Sequence, residues 1–566
     1  MQSITALLDA AFRTAISTAF GINADPLIAP AQNEKFGDYQ SNAAMGLAKQ
    51  TQIKNPRAVA EQIIAKLDLG DIGTTSIAGP GFINVKLAAE WLQKTLVAMN
   101  NDPRLGIESV AKPQTVVIDY SGPNVAKQMH VGHLRSTIIG DAIARVLAFR
   151  GDQVIRQNHI GDWGTQFGML IAHLRDIQPS GEPHIDDLDK FYKEARKRFD
   201  EDPAFADRAR ATVVALQSGE ADADKRWQSI VAESRRHFQP IYDRLGVQLK
   251  PEDERGESFY NSQLAGNVAE LKQMGVAVES DGATVAFTEG IEAPIILEKT
   301  GGGFGYATTD LAALRYRARD LGATRLIYFV GSPQTQHFKQ VFATAQKAGW
   351  ANGIALEHAA FGSVLGQDRK MFKARSGDSV KLVDLLDEAE VRAQKIVDEK
   401  SPQLSADERK NIARAVGIGA VKYADLSKDR LSDYIFDWDT MLSMDGNTGP
   451  YLQYAHARIQ SIFRKASEQQ ALPGDLLLTE PAELTLGKFL LRFGDVIASV
   501  ARELKPHLLC LYLYDLATTF SAFYENCPVL KSEPAIRASR LTLCELTGRT
   551  IALGLDLLGI EHPDIM

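Results

Sequence analysis

The strongest constraint on this chain lies between residues 115 and 156. An apolar run, Val116-Val117-Ile118, gives way to a polar loop from Asp119 to Gln128. A helical stretch follows from about Met129, then a second extended run, Gln153-Val154-Ile155-Arg156. The helical stretch sets Leu134, Ile138, Ile139, Ala142, Ile143, Val146 and Leu147 on one side and stops at Gly151. Two strands joined through a helix in about 40 residues make a βαβ unit, which demands a parallel sheet with ligands at the carboxyl ends of its strands. At the corner where loop becomes helix stands His130-Val131-Gly132-His133. Helix N-termini offer free N–H groups and a positive dipole end to phosphate. Two histidines three apart on a first turn project to one face, and the glycine between them admits a flat ligand to the backbone. The functional reading is a nucleotide site whose imidazoles donate to a phosphate as its charge grows. The bland alternative is two surface histidines beside a packing glycine.

The alternation is broken and then resumes. A charged, mostly helical stretch from about Asp176 to Lys250 is followed by hairpin-like pieces at 275–278 and 284–287, so an insertion of about 176–295 is expected. Sheet-type patterning returns with Gly301 to Gly305, the strand Leu326 to Val330, a helix from about Gln336 to Ala348 and the strand-like Glu357 to Leu365. Before this domain, helical spacing over 3–20, further helices through Gln50 and from Pro56 to Leu69, and a turn plus strand at 77–85 describe a small α+β module. Breakers around Asn100–Pro113 close it. After Gly377 the pattern is helical near 382–400, 407–425, 450–467, 484–502, 508–525 and 536–557. The expected fold is therefore α/β and multidomain: an N-terminal α+β domain (1–110), a split Rossmann-like parallel-sheet catalytic domain (113–377) with an inserted domain, a helical connector (378–444) and an all-α C-terminal domain (445–566).

Composition narrows the partners. Sixty-three Lys and Arg against 71 Asp and Glu leave a formal charge of −8, so a polyanion must be held by local patches. The only cysteines, Cys510, Cys527 and Cys544, are 17 apart in apolar helical contexts, which matches no zinc ligand set and no disulfide framework. No signal peptide or membrane span is read, and a reducing cytosol is the expected home.

Asp119-Tyr120-Ser121-Gly122-Pro123-Asn124-Val125-Ala126-Lys127-Gln128-Met129, continuing through His130-Val131-Gly132-His133 to Leu134-Arg135-Ser136-Thr137, resembles the nucleotide site of class I aminoacyl-tRNA synthetases, specifically their arginyl branch. Asn158-His159-Ile160-Gly161-Asp162-Trp163-Gly164, Asp425-Leu426-Ser427-Lys428 and the run from Asn447 to Ala455 extend the resemblance in the same order along the chain. It implies ATP-dependent joining of arginine to tRNA(Arg) by a cytoplasmic monomer. ATP enters as its Mg²⁺ complex, with no protein-bound metal or organic cofactor. It implies catalytic roles for His130 and His133, and ATP contacts from Gly132, Asp162, Trp163 and Gly164. Asp119, Gly122, Tyr306 and Asp310 surround the arginine side chain, and Asn124 and Gln334 hold its α-amino and carboxylate end. A guanidinium fork suits such carboxylates. Lysine or citrulline would leave one underpaired, so no editing site is needed.

The second signature of the class, K-M-S-K, is degenerate here. Lys370 and Lys373 have the right separation with Phe372 in place of serine, while a second register begins at Phe372; Lys127, just before the histidines, is the alternative cation. The resemblance makes the C-terminal helices an anticodon-binding bundle with Tyr451, Tyr454, Arg458 and Met566 as tRNA contacts, and gives Phe36 and Asn42 to the tRNA elbow. From Asp445 to Met566, 11 Lys and Arg stand against 14 Asp and Glu, so composition alone would not nominate the bundle; aromatic stacking of unpaired bases needs no net charge. A cysteinyl enzyme would need zinc thiolates that are absent, and a small-molecule adenylyltransferase would not need the long helical tail.

Overall fold

The computed structural model describes residues 1–566 apart from 32, 180–184, 186, 301 and 373–379. Its centre is a four-stranded, all-parallel sheet in the order Ala355–His358, Arg325–Tyr328, Thr115–Asp119, Gln153–Gln157. Register aligns Tyr328 with both Asp119 and His358, and Asp119 with Gln157, so all four strands end at one level. Val116, Ile118, Leu326 and Ile327 are fully buried in these strands, as expected for a sheet covered on both faces. The helix Val131–Phe149 crosses from Thr115–Asp119 to Gln153–Gln157, as the pattern predicts.

The sheet is split after Gln157. Helices Gln166–Ile177, Leu188–Glu201, Pro203–Gln217 and Ala221–Leu245 form the body of the insertion, and a three-stranded antiparallel sheet (Val278–Ser280, Ala283–Ala286, Ile295–Glu298) leads back to the helix Tyr306–Arg319. The strand-like run 357–365 is two pieces. Val364–Leu365 leaves the main sheet and pairs in parallel with Tyr434–Ile435 of the connector. The helix anticipated over 484–502 breaks at Arg492 into Pro481–Leu491 and Phe493–Glu503. The N-terminal module holds more sheet than its sequence suggests: short strands Ile28–Pro30 and Tyr39–Ser41 join a hairpin of Gly73–Ala78 and Phe82–Leu87.

Two buried charges fasten the site to the helical half of the molecule. Arg135, from the crossover helix, donates through Nε at 3.2 Å to Asp425 of the helix Ala406–Leu426, with side-chain exposures of 1% and 0%. Its Nη1 donates to the Ser432 carbonyl at 2.9 Å, and Tyr434 lies under the guanidinium. Among the described residues no helix is long and apolar enough to cross a membrane.

Candidate active site

The histidine corner is built by its own hydrogen bonds. His130 is the N-cap of the crossover helix: its Nδ1 accepts from Gly132 N at 3.0 Å, and its backbone N–H donates to His133 Nδ1 at 3.1 Å. Both Nδ1 atoms accept, which puts each ring proton on Nε2 as an outward donor. Burial pushes the His133 imidazole down to about 3, helped by neighbouring His130, and burial with Lys127 nearby lowers His130 as well. The rings are therefore neutral donors at physiological pH, with centroids 4.0 Å apart. A side chain at 132 would stand 2.7 Å from the His130 ring, so the glycine first serves the cap.

A cavity of about 570 Å³ opens from this corner along the strand ends. Asp119, Gly122, Asn124, Gly132, His133, Tyr306, Asp310 and Gln334 all line it, so the six residues expected around the amino acid meet here. The Asn124 backbone bridges Gly161, and a side chain at 161 would run into Asn124 Oδ1, which explains the glycine. Asp310 is flanked by two imidazoles: His337 Nε2 is 2.6 Å from Oδ2, and His159 Nε2 is 3.7 Å from Oδ1. The Tyr306 ring lies 4.9 Å from that of His337.

Asp119 differs from expectation. Its Oδ2 is 2.8 Å from Nη1 of Arg317, an arginine with 1% exposure in the helix below, so its charge is already met by an internal guanidinium. The second acid facing Asp310 is Glu257, which also lines the cavity. Burial pushes its carboxyl up to about 8, and the charges of Asp310 and Asp162 add to the shift. Sequence reasoning passed over Glu257, and over His337 one turn after Gln334. The i, i+3 spacing of Gln334 and His337 was a usable signal; Glu257, at the start of a 3₁₀ turn within the insertion, offered none.

A second pocket of about 240 Å³ shares Gly132, Gly331, Pro333 and Phe361 with the first and adds His130, Val364, Met371 and Phe372. Phe372, where K-M-S-K has serine, stacks on Phe436 with centroids 4.7 Å apart. Lys370 is exposed in a turn closed by Gly366 N donating to its carbonyl, Lys373 lies outside the described residues, and the Lys127 ammonium sits 4.6 Å over the Tyr192 ring. Asp162, Trp163 and Gly164, expected at ATP, line neither pocket. The Asp162 carboxylate accepts from Ser258 N and Oγ at 2.9 and 2.7 Å, fixing the turn that carries Glu257, and Trp163 packs edge-on against Trp227.

Comparison with known proteins agrees with this geometry. Residues 95–438 match the class I tRNA synthetase (R) catalytic domain, 452–566 the DALR anticodon binding domain, and 6–87 the arginyl tRNA synthetase N terminal domain. The arginine–tRNA ligases of Saccharophagus degradans and Laribacter hongkongensis are 53% and 51% identical to it, each over 100% of both chains. The chain belongs to the arginyl-tRNA synthetase family. Among solved arginyl-tRNA synthetases, that of Plasmodium falciparum matches with a TM-score of 0.89 at 33% identity, and that of Thermus thermophilus with 0.84 at 27%, both over 100% of each chain.

The residues expected to meet tRNA divide. On the helix Gly449–Glu468, Tyr451, Tyr454 and Arg458 share one face by helical spacing. Tyr451 lies 5.7 Å from Tyr514, Arg458 sits 4.8 Å over Tyr524, and Tyr454 is 45% exposed. Met566 ends a tail tied to the opposite face, through Gln453 to the Glu561 carbonyl and His456 to Asp564. In the N-terminal module Phe36 is exposed, and the Oδ1 of Asn42 is buried without a partner. Between them Asp38 pairs with Lys488 of the C-terminal bundle at 2.7 Å.

Proposed function

We propose that the protein joins L-arginine to the 3′-terminal ribose of tRNA(Arg), consuming ATP and releasing AMP and pyrophosphate. The observation that carries this reading is the joining of two cavities at the histidine corner, with paired acids at the far end of one and apolar walls in the other. An arginyl-adenylate fits that line: guanidinium at Asp310 and Glu257 beside Tyr306, phosphate at His130 and His133, adenine against Phe361 and Val364. Asn124, Gly122 and Gln334 surround the α-amino and carboxylate end, and Asp119 pairs with Arg317 beneath them.

In the first step a carboxylate oxygen of arginine attacks the α-phosphorus and pyrophosphate leaves. The two neutral Nε2–H donors meet the charge growing on the phosphate oxygens, and no covalent bond to the protein forms. One of the alternatives Lys127, Lys370 and Lys373 supplies the cation for pyrophosphate, alongside Mg²⁺ entering with ATP. In the second step the terminal ribose hydroxyl attacks the activated carbonyl carbon and AMP leaves. The N-terminal module and the C-terminal bundle, residues 1–110 and 445–566, hold the tRNA. The enzyme works as a monomer in the cytosol, where its three buried, unpaired cysteines stay reduced.

Pyrophosphate exchange measured with each amino acid, with and without tRNA, tests the reading. Exchange with arginine alone, and only when tRNA is present, is expected. Comparable exchange with lysine or cysteine would overturn it.

A further inference from the structure

The loop that delivers the site residues is held in an unfavourable shape by groups far away in sequence. Between the first strand and the histidine corner, Ser121 and Ala126 adopt φ of 74° and 65°, left-handed values that side-chain-bearing residues avoid and that persist only where the surroundings enforce them. Five side-chain anchors do so, one of them Thr137, whose Oγ1 donates to Ser121 Oγ at 2.9 Å. Ser121 N donates to Ser136 Oγ at 2.9 Å, and Gly122 N donates to Asn158 Oδ1 at 3.0 Å, both from the sheet domain's own elements. The other two come from the insertion. Ala126 N donates to Ser234 Oγ at 2.9 Å, while the Tyr242 hydroxyl lies 2.7 Å from Ser121 Oγ and accepts from Asn158 Nδ2 at 3.1 Å. Both residues sit on the helix Ala221–Leu245, Ser234 and Tyr242 being 0% and 2% exposed.

We infer that Tyr242 and Ser234 are positioning residues: their hydroxyls brace the Ser121–Ala126 turn so that Gly122 and Asn124 line the cavity. The Tyr242 hydroxyl bridges two anchors at once, tying Ser121 to the Asn158 side chain that holds Gly122. Ser234 holds the other end of the turn, at Ala126. Neither residue lines the cavity, so neither touches substrate. The inserted helix thereby sets the amino-acid end of the site, while the phosphate end is set by the crossover helix's own cap. This inference rests on the arginine-activating reading.

Tyr242→Phe keeps the ring and its packing, and Ser234→Ala removes one oxygen. In tRNA-dependent pyrophosphate exchange each is expected to raise KM for arginine by roughly tenfold, the scale set by losing buried hydrogen bonds to the turn and its anchor. KM for ATP, KM for tRNA and the thermal midpoint should stay close to those of the unaltered protein. Direct arginine binding by calorimetry should weaken by the same factor. An unchanged arginine KM in both variants would overturn the inference, as would a parallel loss against all three substrates with a lowered midpoint, which marks a merely structural role. Absence of arginine-dependent exchange in the unaltered protein would instead remove the functional reading, and this inference with it.

Discussion

Glu257 sets how the acid end of the cavity responds to pH. Its carboxyl sits up at about 8, so near neutrality the arginine-free site holds a proton there that an arriving guanidinium must displace. Arginine affinity should rise with pH by up to about tenfold per unit until about pH 8, then level off. Titration calorimetry across that range, in buffers of different ionisation enthalpy, would register the released proton; a flat profile would count against Glu257 as a guanidinium partner. Glu257→Gln should abolish the slope and weaken arginine binding by roughly a hundredfold or more. Because a raised carboxyl makes the folded state bind protons that the unfolded chain has released, stability falls as pH climbs from about 4.3 to about 8, and the Gln variant should gain thermal midpoint above that window. The histidines behave oppositely. With His133 held down to about 3, kcat at saturating arginine should stay level between about pH 8 and about pH 6, whereas His133→Ala should lower it by roughly 10²–10³. The histidine pair was legible because its chemistry and spacing lie in four consecutive residues. Asp119 was read as a contact to the substrate guanidinium because Arg317, which already pairs with it, comes from a helix beyond the insertion. Glu257 was invisible because its place is fixed by Ser258 bonding Asp162 across the fold.

Helices and strands were legible where a single period ran long enough. The crossover helix and its two flanking strands follow their pattern closely, since a parallel core imposes continuous apolar runs. Strands of three residues, such as Ile28–Pro30 and Tyr39–Ser41, carry too few alternations to register. The break at Arg492 falls inside an unbroken helical pattern, with no proline or glycine at the break itself to announce it. The Arg135–Asp425 pair shows what such elements depend on. Two helices from different parts of the chain meet through one ion pair removed from water, and burial raises the Asp425 carboxyl although Arg135 opposes the shift. Arg135→Ala, leaving a lone buried carboxylate, should cost about 3–5 kcal/mol. Arg135→Met combined with Asp425→Leu should recover most of it. Urea unfolding of the two single variants and the double variant measures the coupling; strictly additive losses would show that the pair does not act as a unit.

The ends of the chain close on one another around the catalytic domain. Lys488 binds Asp38, Thr5 donates to Asp495 at 2.8 Å, and Arg549 donates to the Asp102 carbonyl at 2.8 Å, so the N-terminal module and the C-terminal bundle are directly joined. A tRNA that touched both parts would meet one connected surface carried by a chain whose formal charge is −8. Bulk attraction cannot supply the affinity, and at the bundle the available chemistry is aromatic: Tyr451, Tyr454 and Arg458 on one face, backed by Tyr514 and Tyr524. Stacking an unpaired base on such a ring contributes about 1–3 kcal/mol and releases few counterions. Tyr454, the most exposed of these tyrosines, is the sharpest test. Tyr454→Ala should raise Kd for tRNA(Arg) by roughly 10- to 100-fold while leaving the slope of log Kd against log salt unchanged. Arg458→Ala, if its guanidinium reaches a phosphate, should flatten that slope by about one unit. Neither substitution should alter KM for arginine or ATP, because both lie on the helix Gly449–Glu468, outside the catalytic cavities. Filter binding over a salt series separates the two contributions. A Tyr454→Ala variant that kept its affinity would assign this face to packing rather than to RNA.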